Sequence, residues 1–303
     1  MPLVITPFSS PHDLQPMVDL LLAVRPPQRI NHWPGVVELY EVLGRATVTV
    51  NTRLWWDGER LAAWAFVDEF DNIHFESRHG ALTCADFAAM FEWACAVVAA
   101  RSGPGEATLD ASAHEEDTER VALLLAHGFV EGTHRTLGYV RELSGAIPAP
   151  PVPPGFTLRP LRSDEVEAAA ALHRAAFGTD YMTVENRRAM MSGPEYDPAG
   201  DLVVVAPDGR LAAYTMASIS ATENAVSGVA EGFTDPVATH PDFRRLGLAK
   251  SLMLAGCVRL QALGATRARL GTSSENAGMQ RAAESAGYRL DHAVRWFSRP
   301  LRA

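Results

Sequence analysis

Residues 148–155 interrupt this chain of 303 residues with a run of prolines. The run reads Pro148-Ala149-Pro150-Pro151-Val152-Pro153-Pro154-Gly155, so five of its eight residues are proline. Proline cannot continue a helix or donate a hydrogen bond to a sheet, and at this density it favours an extended, semi-rigid chain. The run therefore predicts a linker at 148–155 between two domains of about equal size, residues 1–147 and residues 156–303.

Two sequence features recur in the same order in both halves. An Asp-Gly turn followed by an apolar strand occurs at Asp57–Trp64 and again at Asp208–Tyr214. A helix that ends near a Gly and leads into a strand is expected at Ala126–Phe129 and again at Ser285–Tyr288. The shared order indicates a duplicated fold.

The apolar periodicity and the turn residues predict α/β (α+β) domains with the element order β-α-β-β-β-α-β-α-β. In the second half we expect strands at 156–161, 202–206, 211–218, 229–239, 266–271 and 289–297, with helices from 163 to about 177, at 248–263 and at 277–286. The first half reads similarly, with strands near 48–56, 61–69, 72–78, 106–111 and 130–141 and helices near 13–24, 83–100 and 116–127.

Charge and composition exclude several classes of protein. The formal net charge is -9, which disfavours non-specific binding to nucleic acid or to an anionic membrane. No apolar run approaches the roughly 20 residues of a membrane span, and the first residues do not read as a signal peptide. The three cysteines, Cys84, Cys95 and Cys257, suit a reduced compartment, so a cytoplasmic protein is expected.

The segment 237–252 holds the most informative motif of the chain. A predicted strand is followed by a short loop and by a helix that begins near Leu248. The loop contains Arg-x-x-Gly-x-Ala, formed by Arg244, Gly247 and Ala249. A helix N-terminus has unpaired backbone N–H groups and a positive dipole end, and glycine lets a ligand approach the backbone closely. The motif therefore predicts a site for a phosphate or a pyrophosphate.

This motif differs from two common phosphate-binding patterns, Gly-x-x-x-x-Gly-Lys-Ser/Thr and Gly-x-Gly-x-x-Gly. It resembles the hallmark of the GCN5-related N-acetyltransferase (GNAT) superfamily, Arg/Gln-x-x-Gly-x-Gly/Ala at the start of a helix. Val237–Pro241 before the loop, Asn276 after it and Gly287-Tyr288 at the end of the following helix also match the family. The resemblance covers residues 155–303.

The resemblance implies two tandem GNAT-like domains, each with a mixed, mostly antiparallel central sheet flanked by helices. It implies acetyl-CoA as the acyl donor, with the pyrophosphate on the amides of Arg245–Lys250 and the pantetheine arm beside the backbone of Val237 and Thr239. Asn276 would hold the far end of that arm. The residues implied in cofactor binding are Val237, Ala238, Thr239, Arg244, Arg245, Leu246, Gly247, Leu248, Ala249, Lys250 and Asn276.

The resemblance also implies a base on the strand before the loop, which removes a proton from an acceptor amine. Asp235 is the first candidate, because it directly precedes Pro236-Val237, where similar family members tend to have an acid, and Glu231 is the second. Their even spacing places both on one face of a regular strand. Many family members have a Tyr four residues before the final Gly as the acid, and Ala283 stands there instead. No metal is expected, because the ten histidines show no metal-ligand spacing.

The first half lacks the loop at its equivalent position, 75–84, and has an acidic run at 112–117. We interpret residues 1–147 as a degenerate GNAT-like domain without cofactor, and residues 156–303 as the catalytic domain. The predicted function is N-acetyl transfer from acetyl-CoA to a small amine, by a monomer or a homodimer. Two alternatives stay open: a non-catalytic acyl-CoA-binding or regulatory protein, and an acetyltransferase similar to mycothiol synthase.

Overall fold

The computed structural model describes residues 3–9, 11–101 and 107–301. Those residues form two compact units. The first unit contains the described residues up to Arg135 and those from Ala293 onward, and the second contains 136–292. Within the described ranges, no helix combines the length and the hydropathy that crossing a membrane requires.

The first half of the chain begins with a strand, continues through three helices to a hairpin, and ends in a long strand. Its strands are β1 (Val4–Pro7), β2 (Thr52–Asp57), β3 (Arg60–Val67), β4 (Ile73–Ser77), β5 (Thr108–His114) and β6 (Val130–Glu142). Its helices are α1 (Leu14–Val24), α2 (Val36–Leu43), α3 (Ala46–Thr49), α4 (Cys84–Arg101) and α5 (Thr118–Ala126). The strands β1 to β4 pair in sequence order, all antiparallel.

In the second half the same order of strands and helices recurs as from β2 to β6 of the first half, with one additional short helix. Its strands are β7 (Thr157–Pro160), β8 (Asp201–Val205), β9 (Leu211–Ser218), β10 (Glu231–Thr239), β11 (Arg267–Ser273) and β12 (Arg289–Pro300). Its helices are α6 (Val166–Phe177), α7 (Val184–Met191), α8 (Ala221–Ser227), α9 (Leu248–Ala262) and α10 (Ala277–Ser285). Helices α7 and α8 were not among the helices expected from the sequence.

The last strand of the first half contributes residues to the sheet of the second unit, and the last strand of the second half contributes residues to the first unit. Residues 136–142 of β6 pair antiparallel with β11 in the second unit. Residues 294–300 of β12 pair antiparallel with β5 in the first unit. The units therefore differ from the expected division at 148–155: the proline run lies inside the second unit, where the Ser251 hydroxyl donates to the carbonyl of Pro151.

The sheet of the second unit has the order β7-β8-β9-β10-β11, followed by residues 136–142. All its pairs are antiparallel except β10 and β11, which run parallel. Helix α6 packs on one face, where Leu172 meets Tyr214 and Ala238. Helices α9 and α10 cover the other face with a cluster that includes Met253 and Tyr288. Burial on both faces fixes the strands that carry the site.

Deletion of residues 293–303 tests the strand exchange. Because β5 pairs with 294–300, we expect its amides, Thr108–His114, to lose their protection from hydrogen exchange. The amides of β8 and β9 in the second unit should keep theirs, and they serve as the internal control. Hydrogen exchange with mass spectrometry measures the protection of both sets of amides. Faster hydrogen exchange confined to the second unit would contradict the pairing of β5 with residues 294–300.

Candidate functional site

The parallel ladder between β10 and β11 is short, and its end opens the sheet. Glu231, Gly232 and Phe233 pair with Arg267, Ala268 and Arg269. Beyond Phe233 the strand β10 continues to Thr239 beside β9, with a shift in register between Thr234 and Val237. The edge of β10 that faced β11 is therefore open from Thr234 onward. The two diverging strands leave a notch in the sheet.

The loop between β10 and α9 presents unpaired backbone N–H groups beside this notch. Arg245 and Gly247 both have positive φ angles, 65° and 78°. Such turns direct successive N–H groups to one side and form a concavity that suits anions. No side chain caps the N-terminus of α9, and a methyl group added at Gly247 would meet no atom within 4 Å. The helix end is therefore open to a ligand.

A pocket of about 750 Å³ lies at this helix end. Ten of the eleven residues predicted to bind the cofactor line it: Val237, Ala238, Thr239, Arg244, Arg245, Gly247, Leu248, Ala249, Lys250 and Asn276. The eleventh, Leu246, is not among the lining residues and is 44% exposed. The structure thus brings together residues that the sequence separates by up to 39 positions.

The charges of the lining favour an anion. The described residues around the pocket include the cations Arg244, Arg245, Lys250 and Arg281, and they include no carboxylate. The Arg244 guanidinium donates to the carbonyl of Ala176 at 3.1 Å, which ties the loop to the end of α6. Sequence reasoning missed Arg281, which lies on α10 five residues after Asn276.

Asn276 is the N-cap of α10 at the mouth of the pocket. Its Oδ1 accepts a hydrogen bond from the backbone N–H of Met279 at 3.0 Å. The side-chain oxygen is therefore committed to the helix, and the amide nitrogen is the group that a ligand would meet.

Asp235 spans the notch. It is exposed, and its Oδ2 accepts a hydrogen bond from the backbone N–H of Gly271 on β11 at 3.1 Å. The carboxylate therefore stands between the two strands where their ladder has ended.

Glu231, the second predicted base, lies in the paired part of the ladder and is 6% exposed. Its carboxylate accepts from the Arg269 guanidinium at 2.7 Å, and Arg269 also binds Asp291 at 2.8 Å. Burial acts to lower the pKa of Arg269, but the carboxylates of Glu231 and Asp291 prevail and raise it. This ion pair would have to open before Glu231 accepted a proton.

The position of the usual family acid, Ala283, is fully buried. Tyr288 is also buried, and its hydroxyl lies 2.7 Å from Thr234 Oγ1 and 3.2 Å from Cys257 Sγ. Burial raises the pKa of this phenol well above its ordinary value. Tyr288 is therefore a core residue.

Comparison with known proteins identifies the second unit. Residues 166–288 match the acetyltransferase (GNAT) family. The chain carries a GNAT acetyltransferase domain. This domain contains α6 to α10 and every residue that lines the 750 Å³ pocket.

Curated relatives of the chain share one description. A mycothiol acetyltransferase from Thermobispora bispora is 29% identical over 174 residues, which cover 55% of this chain and 58% of that protein. A mycothiol acetyltransferase from Nocardioides sp. is 30% identical over 183 residues, which cover 55% of this chain and 61% of that protein. The chain thus spans less than two thirds of the length of these relatives.

The similarity to solved structures covers nearly the whole chain. A GCN5-related N-acetyltransferase from Sphaerobacter thermophilus covers 99% of this chain and 96% of its own, with a TM-score of 0.67 at 18% identity. A tandem GNAT protein from the clavulanic acid biosynthesis pathway covers 99% of both chains, with a TM-score of 0.66 at 16% identity. The predicted fold, two tandem GNAT-like domains with mixed, mostly antiparallel sheets, is confirmed.

The first unit differs from the GNAT domain at the equivalent helix end. Its loop between β4 and α4 has six residues, against eight between β10 and α9. Asp86 accepts hydrogen bonds from the backbone N–H and the hydroxyl of Thr83 at 2.8 and 2.7 Å, and these bonds lower the pKa of its carboxyl. A carboxylate of the chain itself therefore occupies the N-terminus of α4.

In the first unit an arginine also covers β4, the strand that corresponds to β10. The Arg120 guanidinium lies 4.1 Å from the centre of the Phe75 ring and donates to the carbonyl of Phe75 at 2.8 Å. By alignment of the two hairpins, Phe75 corresponds to Val237. A pocket of about 880 Å³ remains in this unit, but Glu76, Glu116, Asp117 and Glu119 line it beside its arginines. Among the described residues of the chain, no group of three or more His, Cys, Asp and Glu side chains is arranged to hold a metal ion.

Replacement of Gly247 by glutamate tests the open helix end. A like charge about 4 Å from a phosphate costs about 4 kcal/mol at an effective dielectric constant of about 20. We expect Gly247→Glu to weaken acetyl-CoA binding at least about 100-fold, measured by titration calorimetry.

The matched control is Gly264→Glu, beyond the opposite end of α9. Gly264 also has a positive φ angle, 89°, and open space around it, so the charge and the backbone strain are comparable. Near-normal affinity in Gly247→Glu, or an equal loss in both variants, would contradict the assignment.

Proposed function

We propose that this chain transfers the acetyl group of acetyl-CoA to the amine of a small molecule, at the pocket between β10, α9 and α10. The observation that carries the proposal is the uncapped N-terminus of α9, with positive φ angles at Arg245 and Gly247, directly beside the open edge of β10. These features together suit a ligand that has a pyrophosphate at one end and an extended amide-bearing arm.

The residues present fit that donor. The amides of Arg245–Lys250 would receive the pyrophosphate, and the side chains of Arg244, Arg245, Lys250 and Arg281 add positive charge without a competing carboxylate. The open edge of β10 at Val237–Thr239 offers backbone groups to the arm. When bound, acetyl-CoA supplies an acetyl thioester at the notch.

Asp235 is the residue that we assign to the acceptor. Its carboxylate stands at the notch, held by the N–H of Gly271, and it is exposed to a solute that arrives there. It would bind the ammonium group of the acceptor and accept its proton, so that the neutral amine attacks. Glu231 is the weaker candidate, because Arg269 already neutralises it inside the sheet.

The acceptor class is an amine on a small molecule. The curated relatives are mycothiol acetyltransferases, which supports an acceptor of the kind that those proteins use. A screen of amines that measures release of the CoA thiol tests this, with glucosamine, spermidine and kanamycin among the probes. Binding of acetyl-CoA without turnover of any amine would favour the non-catalytic alternative.

The variant Asp235→Asn tests whether Asp235 is the general base. We expect Asp235→Asn to lower kcat by about 10²–10⁴-fold, the usual cost of losing a general base, with little change in affinity for acetyl-CoA. Glu231→Gln, the rival variant, should lower kcat less than about tenfold. Asp208→Asn, in the turn before β9, is the control for loss of an exposed carboxylate. A larger loss of kcat in Glu231→Gln than in Asp235→Asn would assign the role of base to Glu231.

One site per chain is the expected binding stoichiometry. We infer that the first unit does not bind the donor, because Asp86 occupies the end of α4 and Arg120 occupies the carbonyl of Phe75. Calorimetric titration with acetyl-CoA should give one site per chain, and Gly247→Glu should remove it. A second site that survives Gly247→Glu would contradict this assignment of the first unit.

A further inference from the structure

The first unit contains a cavity that the proposed acetyl transfer does not use. Its volume is about 880 Å³, and the described residues that line it lie between positions 23 and 123, within the first unit. A cavity of this size is in the usual range for small-molecule sites. Five arginines and four carboxylates belong to the lining, so the placement of these charges decides which ligands fit.

Ion pairs between different elements hold the walls of this cavity. Glu76 of β4 lies 2.8 Å from Arg25, just after α1, and 3.7 Å from Arg120 of α5. Arg29 lies 2.7 Å from Asp117, just before α5. These pairs connect the end of α1 with β4 and with α5, and they commit two of the four carboxylates to the walls.

The paired part of the cavity has an excess of positive charge, because three guanidinium groups share two carboxylates. Burial lowers the pKa of the Arg120 guanidinium. The two carboxylates oppose this effect, whereas the charges of Arg25 and Arg29 add to it. The Nε of Arg120 is buried and has no hydrogen-bond partner among the described residues. An anionic group in the cavity would therefore reduce the cost of burying this charge.

Two further arginines of the lining, Arg60 and Arg78, form no ion pair with any residue that the structure describes. Arg78 follows β4, and its Nε donates to the carbonyl of Leu61 at 3.0 Å, which fixes the guanidinium. Burial and the charge of Arg60 both lower the pKa of Arg78. Two neighbouring guanidinium groups without a carboxylate suit the oxygens of an anionic ligand.

Two carboxylates of the lining, Glu116 and Glu119, likewise form no ion pair within the described part of the chain. They lie at the start of α5, which the bond from Arg120 to the carbonyl of Phe75 holds beside β4. Arg78 follows Phe75 by three residues, or about 10 Å of extended chain. The unpaired carboxylates and the unpaired arginines therefore lie at different positions along the cavity.

Apolar side chains complete the lining. Leu82 belongs to the core of the first unit, and Phe87 and Leu123 pack against that core. A ligand that fills the cavity therefore needs an apolar body as well as charged ends.

We propose that this cavity binds a small zwitterion, a molecule whose carboxylate and ammonium groups are joined by an aliphatic chain. The carboxylate binds the guanidinium groups of Arg60 and Arg78, and the ammonium group binds Glu116 and Glu119. The same two carboxylates repel a polyphosphate, so the cavity is distinct from the acetyl-CoA pocket. The proposal goes beyond acetyl transfer and does not depend on it.

Three probes with the same aliphatic chain test the proposal: 6-aminohexanoate, hexanoate and hexylammonium. Saturation-transfer NMR titrations of the full chain measure their dissociation constants. We expect a Kd of about 1 mM for 6-aminohexanoate, and values at least about tenfold higher for the two probes that have one charge. Absence of 6-aminohexanoate binding, or equal Kd values for the three probes, would overturn the proposal.

Variants at the two ends of the cavity assign the charges. Arg78→Gln should raise the Kd of 6-aminohexanoate and of hexanoate and leave that of hexylammonium unchanged. Glu119→Gln should raise the Kd of 6-aminohexanoate and of hexylammonium and leave that of hexanoate unchanged. Because Glu119 is exposed, its variant keeps the test decisive if Arg78→Gln fails to fold. Arg101→Gln, at the end of α4 and outside the lining, is the control for loss of an arginine. Unchanged Kd values in Glu119→Gln, or the same losses in the control, would overturn the proposal.

Competition with acetyl-CoA separates this proposal from the proposed function. Acetyl-CoA should not displace 6-aminohexanoate, and Gly247→Glu should leave its Kd unchanged. Displacement by acetyl-CoA in Gly247→Glu would show that the cavity is a second donor site, and would overturn the zwitterion proposal. A protein that binds 6-aminohexanoate as expected but acetylates no amine would contradict the proposed function alone.

Discussion

The parallel pairing of β10 with β11 stops after three residues, and the site depends on that stop. A parallel pair that continued would satisfy the backbone of β10 and leave no open edge for a ligand. Because the strands diverge after Phe233, Asp235 can reach across to the N–H of Gly271, and the following loop can turn through Arg245 and Gly247 into α9. The notch, the position of the Asp235 carboxylate and the open end of α9 therefore share one structural cause.

The two units have the same element order and differ at the helix end where we propose that the donor binds. In the GNAT domain the N-terminus of α9 has no side-chain cap, and the pocket around it has cations without carboxylates. In the first unit the Asp86 carboxylate accepts from the N–H of Thr83 at the start of α4, and Arg120 donates to the backbone carbonyl that a ligand arm would need. In the first unit, hydrogen bonds within the protein thus take the place of those that a cofactor would make.

Much of the fold and of the loop before α9 could be predicted from the sequence because the signals are local. A strand, a loop with Gly247 and a helix from Leu248 depend on neighbouring residues, and α9 begins at the expected residue. The strand exchange could not be predicted, because an alternating apolar pattern says nothing about which strand it pairs with. Nor could the ion pairs of Arg269 with Glu231 and Asp291, since these contacts join residues distant in the chain.

The central claim is that the donor binds at the end of α9, along the open edge of β10. Amide hydrogen exchange of the full chain, with and without acetyl-CoA, tests it most directly. The account predicts slower exchange at 237–239 and 245–250, and no change at 78–84, the equivalent loop of the first unit. Protection at 78–84, or none at 245–250 under conditions where acetyl-CoA is bound, would contradict it.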